Sequence, residues 1–108
     1  MSYSVELSDN FKKEAKKLIK KYASLKNEIA ILGQSLQENP NQGTSLGNNV
    51  FKIRLSIASK HKGKGGGARI ITFVKVEKST VYLLSIYNKG ERDTISDNEI
   101  KLLLENYL

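Results

Sequence analysis

Cysteine is absent from the 108-residue chain, which excludes disulfides, thiolate metal sites and a cysteine nucleophile. Histidine occurs once, at position 61, so a multi-histidine metal site is excluded as well. Nowhere do about eighteen apolar residues run together, as a membrane-spanning helix requires. The amino terminus, M-S-Y-S-V-E-L, carries neither a basic n-region nor an apolar h-region; a cytoplasmic protein is expected. No linker composition and no internal repeat divides the sequence, so residues 1–108 are expected to form a single domain with one modest core. The most consequential scarcity is of negative charge. Between Glu38 and Glu77 there is no acidic residue at all.

Positive charge fills that gap. The net charge is +7 and the isoelectric point about 9.6, which implies an acidic partner. From Lys52 to Arg69 the sequence reads K-I-R-L-S-I-A-S-K-H-K-G-K-G-G-G-A-R, with Lys52, Arg54, Lys60, Lys62, Lys64 and Arg69 in it. Its first part alternates like a strand, Phe51, Ile53, Leu55 and Ile57 on one face and Lys52, Arg54 and Ser56 on the other. A lysine- and glycine-rich loop follows, and Arg69 opens a second β-branched run, I-I-T-F-V-K-V. If the two strands pair, Lys52, Arg54 and Arg69 converge near one sheet face beneath a cationic flap. Such crowding is costly unless an anion sits there, and a nucleic-acid backbone has the matching dimensions. The basic helix lacks the belt of bulky Trp and Phe that seats a helix in a membrane surface, so no membrane partner is expected.

Taken in order, Tyr3 to Leu7 alternate as a short strand, and Ser8 is placed to cap a helix. Phe11, Ala15, Leu18, Ile19 and Tyr22 form its apolar face, while Lys12, Lys13, Lys16, Lys17, Lys20 and Lys21 occupy the rest. Those lysines read as a solvated face or as an extended phosphate-contacting surface. Ser24 can cap a second helix with Leu25, Ile29, Leu32 and Leu36 inward, broadened by Ala30 and Ile31, and Asn39-Pro40 ends it. The two helices form an αα-hairpin. Residues 40–49 carry turn chemistry and are expected to be loop. After the strands at 50–57 and 68–76 comes a polar turn, then V-Y-L-L-S-I-Y, whose apolar character suits a central strand. Ser96 and Glu99 predict a capping box, and Ile95 with Ile100 a hydrophobic staple. Ile100, Leu103, Leu104 and Tyr107 give the last helix its face. The expected architecture is α+β, in the order β-α-α-β-β-β-α, with a small, mainly antiparallel sheet on an amino-terminal αα-hairpin and a carboxy-terminal helix.

Gly63 to Ala68 match the loose pattern G-x-G-x-x-A, but a dinucleotide fingerprint needs a strand before it and a helix after it. Here a strand follows, and no Gly-Lys-Ser/Thr closes a Walker loop. The glycines instead let backbone approach a bulky anion, or make a flexible connection. An unperturbed imidazole titrates near neutrality, so the residue type at His61 suits a base, or a bystander. Glu91, Asp93, Asp97 and Glu99 suggest a cation only weakly, because Asp97 and Glu99 suit a helix N-terminus. No metal and no cofactor is expected. Tyr82 reads as core. Tyr87 ends a strand beside Lys89, where a wet phenol could stack on a base or donate a proton.

The pieces K-I-R-L, S-K-H-K-G-K-G-G-G-A-R-I-I-T-F and V-Y-L-L-S-I-Y-N-K-G-E resemble the RelE/ParE superfamily of bacterial toxins, in particular the HigB-like branch of RelE. The element order is also that of the superfamily, so the resemblance spans essentially the whole chain. It implies a RelE-like fold and a ribosome-dependent messenger-RNA endonuclease silenced by a cognate antitoxin. The partners implied are that antitoxin, the ribosome and mRNA, and the free toxin is expected to be a monomer. The family's arginine falls on Arg69, its strand basic residues on Lys52 and Arg54, and its loop lysines on Lys60, Lys62 and Lys64. Its carboxy-terminal tyrosine and lysine fall on Tyr87 and Lys89, with Arg92 beyond them. His61 stands where the family usually has glycine.

Metal-free RNA cleavage needs a base for the 2′-hydroxyl, charge to stabilise the phosphorane and an acid for the departing 5′ oxygen. Arg69, always charged, suits the second duty. Crowding by like charges lowers a lysine pKa, so Lys62 or Lys64, or Lys89 across the cleft, are candidate bases. Tyr87 or a protonated lysine is the candidate acid, and Lys52, Arg54, Lys60, His61 and Arg92 would bind substrate. Two alternatives remain open: a ParE-like inhibitor of DNA gyrase, which binds protein and cuts nothing, and a plain basic RNA-binding domain.

Overall fold

A computed structural model of the chain describes residues 2–59, 67–92 and 94–108. The elements are β1 (Ser4–Leu7), α1 (Asp9–Lys21), α2 (Leu25–Glu38), β2 (Thr44–Gly47), β3 (Val50–Leu55), β4 (Ala68–Lys75), β5 (Thr80–Asn88) and α3 (Asp97–Leu104). A 3-10 turn at Val76–Lys78, closed by Ser79 in the left-handed region, joins β4 to β5. The fold is α+β, as expected. The strands form one five-stranded sheet in the order β1-β5-β4-β3-β2. Among the described residues, only the β1–β5 pair is parallel.

The expected loop after α2 needs correction. Residues 40–49 are not all loop, because Thr44–Gly47 is an edge strand pairing antiparallel with β3. Its turn uses Asn48 and Asn49, both at positive φ (54° and 64°), the backbone that suits the right-handed twist of a two-residue hairpin.

The sheet is covered on both faces. On one, α1 and α2 bury Phe11, Leu18, Leu25, Leu32 and Leu36 against Ile53, Ile70, Val81, Leu83 and Ile86. On the other, α3 buries Ile100 and Leu104, with Ile95, against Val50, Ile71, Phe73, Leu84 and Tyr87. This is why β5 reads as an almost unbroken apolar run. Ser8 caps α1 by accepting from the Phe11 N–H (3.0 Å). The Ser96–Glu99 capping box starts α3. Ser24 differs from expectation: its side chain makes no cap bond to α2. Ala30 and Ile31 are exposed and do not broaden the α2 stripe. Tyr82, half-buried, packs its ring 4.6 Å from that of Tyr107.

Beside β5, β1 stops at Leu7, opposite Leu83. Side chains of α1 occupy the edge beyond. The Ser8 hydroxyl and the Asn10 amide donate to the Leu84 carbonyl (3.2 and 3.0 Å). Glu14 Oε1 accepts from the Ile86 N–H (3.2 Å) and the Ser85 hydroxyl (2.7 Å). An edge that would invite another strand is thus satisfied from within the chain. Among the described residues, no helix is long and apolar enough to cross a membrane.

Candidate functional site

The register of the three central strands sets the geometry. Arg54 of β3 lies opposite Arg69 of β4, and Arg69 lies opposite Tyr87 of β5. Directly opposed residues point to the same side, with Cβ atoms about 5 Å apart. The row Arg54–Arg69–Tyr87 therefore crosses the sheet on its α3 side, where Tyr87 packs with Ile71, Ile95 and Ile100. Lys52, two residues before Arg54 and opposite Ile71, shares that side.

Charge and burial conflict at this row. Arg54 is exposed, but Arg69 is only 6% exposed. Among the described residues, the Arg69 guanidinium donates to the Ala68 carbonyl (3.3 Å) and meets no carboxylate. Like charges directly opposite destabilise a sheet, and a desolvated cation without a counter-charge costs more. An anion at the row would relieve both.

Tyr87 departs from expectation. The phenol is not wet; the residue is 6% exposed. The α3 residues of its cluster cover it from the sheet face, and the Arg92 guanidinium lies over its ring, 5.4 Å from the centroid. Arg92 is held in turn by an ion pair with Glu99 and by donation to the Thr94 carbonyl (2.9 Å). Glu99 Oε1 accepts from Arg92 and also from the Ser96 N–H (3.2 Å). These bonds, Arg92's first, hold the Glu99 carboxyl below its ordinary pKa. One carboxylate oxygen thus caps α3 and fixes the cation above Tyr87.

Lys60, His61, Lys62 and Lys64 lie outside the described residues. The segments on either side of them are firmly tied. Ala58 donates its N–H to Glu28 Oε2 (2.7 Å). Ser59 and Ser24 bond hydroxyl to hydroxyl (2.8 Å), and the Ser59 N–H donates to the Ser24 hydroxyl (2.9 Å). Ser24, expected to cap α2, instead joins that helix to the end of the β3 segment. On the far side, the Gly67 carbonyl accepts from the Lys89 N–H (3.1 Å). Gly67 sits at φ +94°, where an added Cβ would lie 2.6 Å from the Leu55 carbonyl oxygen, so glycine is required there.

Around the end of β5 a cavity of about 370 Å³ is lined by Glu14, Lys17, Tyr87, Asn88, Glu91 and Arg92, among others. Glu14 and Asn88 were not singled out from sequence. Asn88 is buried, its amide donating to the Tyr22 hydroxyl (3.1 Å) and its carbonyl oxygen accepting from the Gly90 N–H (3.0 Å). Glu14 had a visible signal, as the one carboxylate among the lysines from Lys12 to Lys21. Among the described residues no group of three or more His, Cys, Asp or Glu is placed to hold a metal.

Comparison with known proteins agrees in direction. A family model described as the RelE toxin of the RelE / RelB toxin-antitoxin system matches residues 7–106. Among solved structures, the chain is similar to a double mutant of the E. coli toxin RelE in the free state, at 16% identity, with 100% of both chains covered and a TM-score of 0.64. It is also similar to the intact E. coli RelBE toxin–antitoxin complex, at 21% identity over 78% of this chain and 93% of that chain, with a TM-score of 0.48.

Proposed function

The chain belongs to the RelE toxin family, the toxins of toxin–antitoxin systems, and on that premise we propose that it is a ribosome-dependent messenger-RNA endonuclease of the cytoplasm. A cognate antitoxin silences it. The observation that carries the reading is the Arg54–Arg69 pair, two opposed cations on one sheet face, the inner one buried and without a carboxylate partner among the described residues.

Cleavage in this reading is attack of the 2′-hydroxyl oxygen on the adjacent phosphate. A base takes the hydroxyl proton, a phosphorane forms, and the 5′ oxygen leaves with a proton from an acid. Arg69 stabilises the added negative charge with a guanidinium that never deprotonates and presents paired donors. Lys62, Lys64 or Lys89 takes the proton, and a protonated lysine of the same group returns one. Tyr87 serves as acid or stacks on a base only once Arg92 is drawn off its ring. Lys52, Arg54, Lys60, His61 and Arg92 hold the message. A positioned acid or base contributes about a hundred- to ten-thousandfold, and the ribosome supplies orientation by holding the message in line. No metal takes part in this scheme.

Translation in vitro followed by primer extension tests it. Codon-phased breaks that appear with the wild-type protein and vanish with Arg69→Ala, itself folded, are the expected result. Intact message together with loss of gyrase supercoiling would replace this reading with a gyrase inhibitor.

A further inference from the structure

The lysines of α1 have no part in the scheme above. Lys12, Lys13, Lys16, Lys17, Lys20 and Lys21 are all exposed. At about 100° per residue they cover roughly half the helix circumference, along about 13.5 Å of axis. They stand in two ladders of spacing i, i+4, Lys12–Lys16–Lys20 and Lys13–Lys17–Lys21, a spacing at which like charges repel. An ordinary solvated helix face interleaves carboxylates to cancel that repulsion. Here the carboxylate within the ladders, Glu14, is turned away to accept bonds from Asn10, Ser85 and Ile86 at the β5 edge. Among the described residues only Lys21 finds an acid, Glu91, at 3.4 Å.

Position adds a second argument. The carboxy-terminal half of α1 lies beside the end of β5, where Asn88 bonds Tyr22 and Glu91 pairs Lys21. Lys17 lines the same cavity as Tyr87 and Arg92. Arg69, opposite Tyr87, is at that same end of the sheet. The ridge therefore adjoins the candidate site around the end of β5, across a cavity that Glu14 and Glu91 also line.

We propose that the lysine ridge of α1 is a docking surface for a nucleic-acid backbone, joined to the cleavage site but separate from it in function. The occupant is a polyanion with phosphates spread along the ridge, which binds by neutralisation without base readout. The proposal rests on the nuclease reading only for the direction from which the message enters.

The test measures fluorescence anisotropy of a labelled RNA duplex of arbitrary sequence, titrated from low to moderate salt. It compares the wild type, the triple variant Lys13→Gln/Lys16→Gln/Lys20→Gln, and Arg69→Ala. Glutamine has nearly lysine's helix propensity, so the triple variant should melt no lower than the wild type. Its plot of log affinity against log salt should be shallower by about 2 to 3, with binding at low salt weaker by about tenfold or more. Arg69→Ala removes at most one phosphate contact, so it should change the salt slope by no more than about 1 while losing message cleavage. If the wild type cuts no message and the triple variant still loses duplex affinity, the ridge stands and the cleavage reading falls. A triple variant with the wild type's affinity and slope overturns the ridge, whether the lysines are merely solvated or hold an acidic protein.

Discussion

Replacing Arg69 by methionine should make the protein more stable and inactive. Arg69 is 6% exposed, faces Arg54 across β3 and β4, and among the described residues has the Ala68 carbonyl as its bonded neighbour. Methionine keeps most of the volume and fits irregular gaps. Exchanging buried charges for apolar groups of similar size is often neutral or stabilising by about 1–4 kcal/mol. Relief of a like-charged opposed pair adds roughly 0.2–1 kcal/mol. Lost packing of the longer arginine stem offsets part of this, so the net gain is about 1–2 kcal/mol. In a domain of this size each kcal/mol moves the melting temperature by about 4–8 °C, and the variant should melt roughly 5–10 °C higher in low-salt buffer. Pyrophosphate sharpens the assay. An anion at one hundred times its Kd stabilises by about 2.7 kcal/mol, so it should raise the melting point of the wild type and leave that of Arg69→Met nearly unchanged. A variant that melts several degrees lower would refute the reasoning, because Arg69 would then be a structural residue and not a strained anion site.

Other consequences follow from the same geometry. Gly67→Ala places a Cβ 2.6 Å from the Leu55 carbonyl at φ +94°; it should lose about 1–3 kcal/mol in urea unfolding. Glu99→Gln keeps a side chain able to complete the capping box but loses the charge that holds Arg92. Because the folded-state pKa of Glu99 is lowered, the carboxylate stabilises the fold above its unfolded pKa of about 4.3, and that contribution is lost as pH falls through the folded pKa. Thermal melts from pH 6 to pH 3 should therefore decline less steeply for Glu99→Gln than for the wild type, and parallel curves would show that the Arg92 pair adds nothing.

Much of this fold could be read in the sequence because its signals are local. The Ser96–Glu99 capping box, the Ser8 cap and the apolar run of β5 each concern neighbours within a few residues, and each appears as expected. What escaped depended on contacts distant in sequence or on exposure. Thr44–Gly47 is wholly exposed, so its strand has no buried alternation to reveal it; the Asn48-Asn49 turn was the available clue. Ile31 looks like core by type, yet is 57% exposed. Parallel pairing of β1 with the start of β5 joins residues far apart in the chain, Ser4 with Thr80 and Leu7 with Leu83. The site was legible to a similar degree. Alternation aligned Lys52 with Arg54, and antiparallel pairing of their strand with the next brought Arg69 to the same face. The burial of Tyr87 was not legible, since its cover comes from α3 and from Arg92, held by a helix-capping carboxylate. Glu14 looked like one more charge on a solvated helix until the open β5 edge drew it inward.

The most direct test of the central claim uses single-turnover cleavage of a message on programmed ribosomes, with and without a 2′-deoxynucleotide at the mapped cut. The deoxy message should not be cut there, wild-type products should carry 5′-hydroxyl ends, and Arg69→Ala and Arg69→Lys should both be severely slowed. Cleavage of the deoxy message at the wild-type rate, or an Arg69→Ala protein as fast as its parent, would contradict the claim.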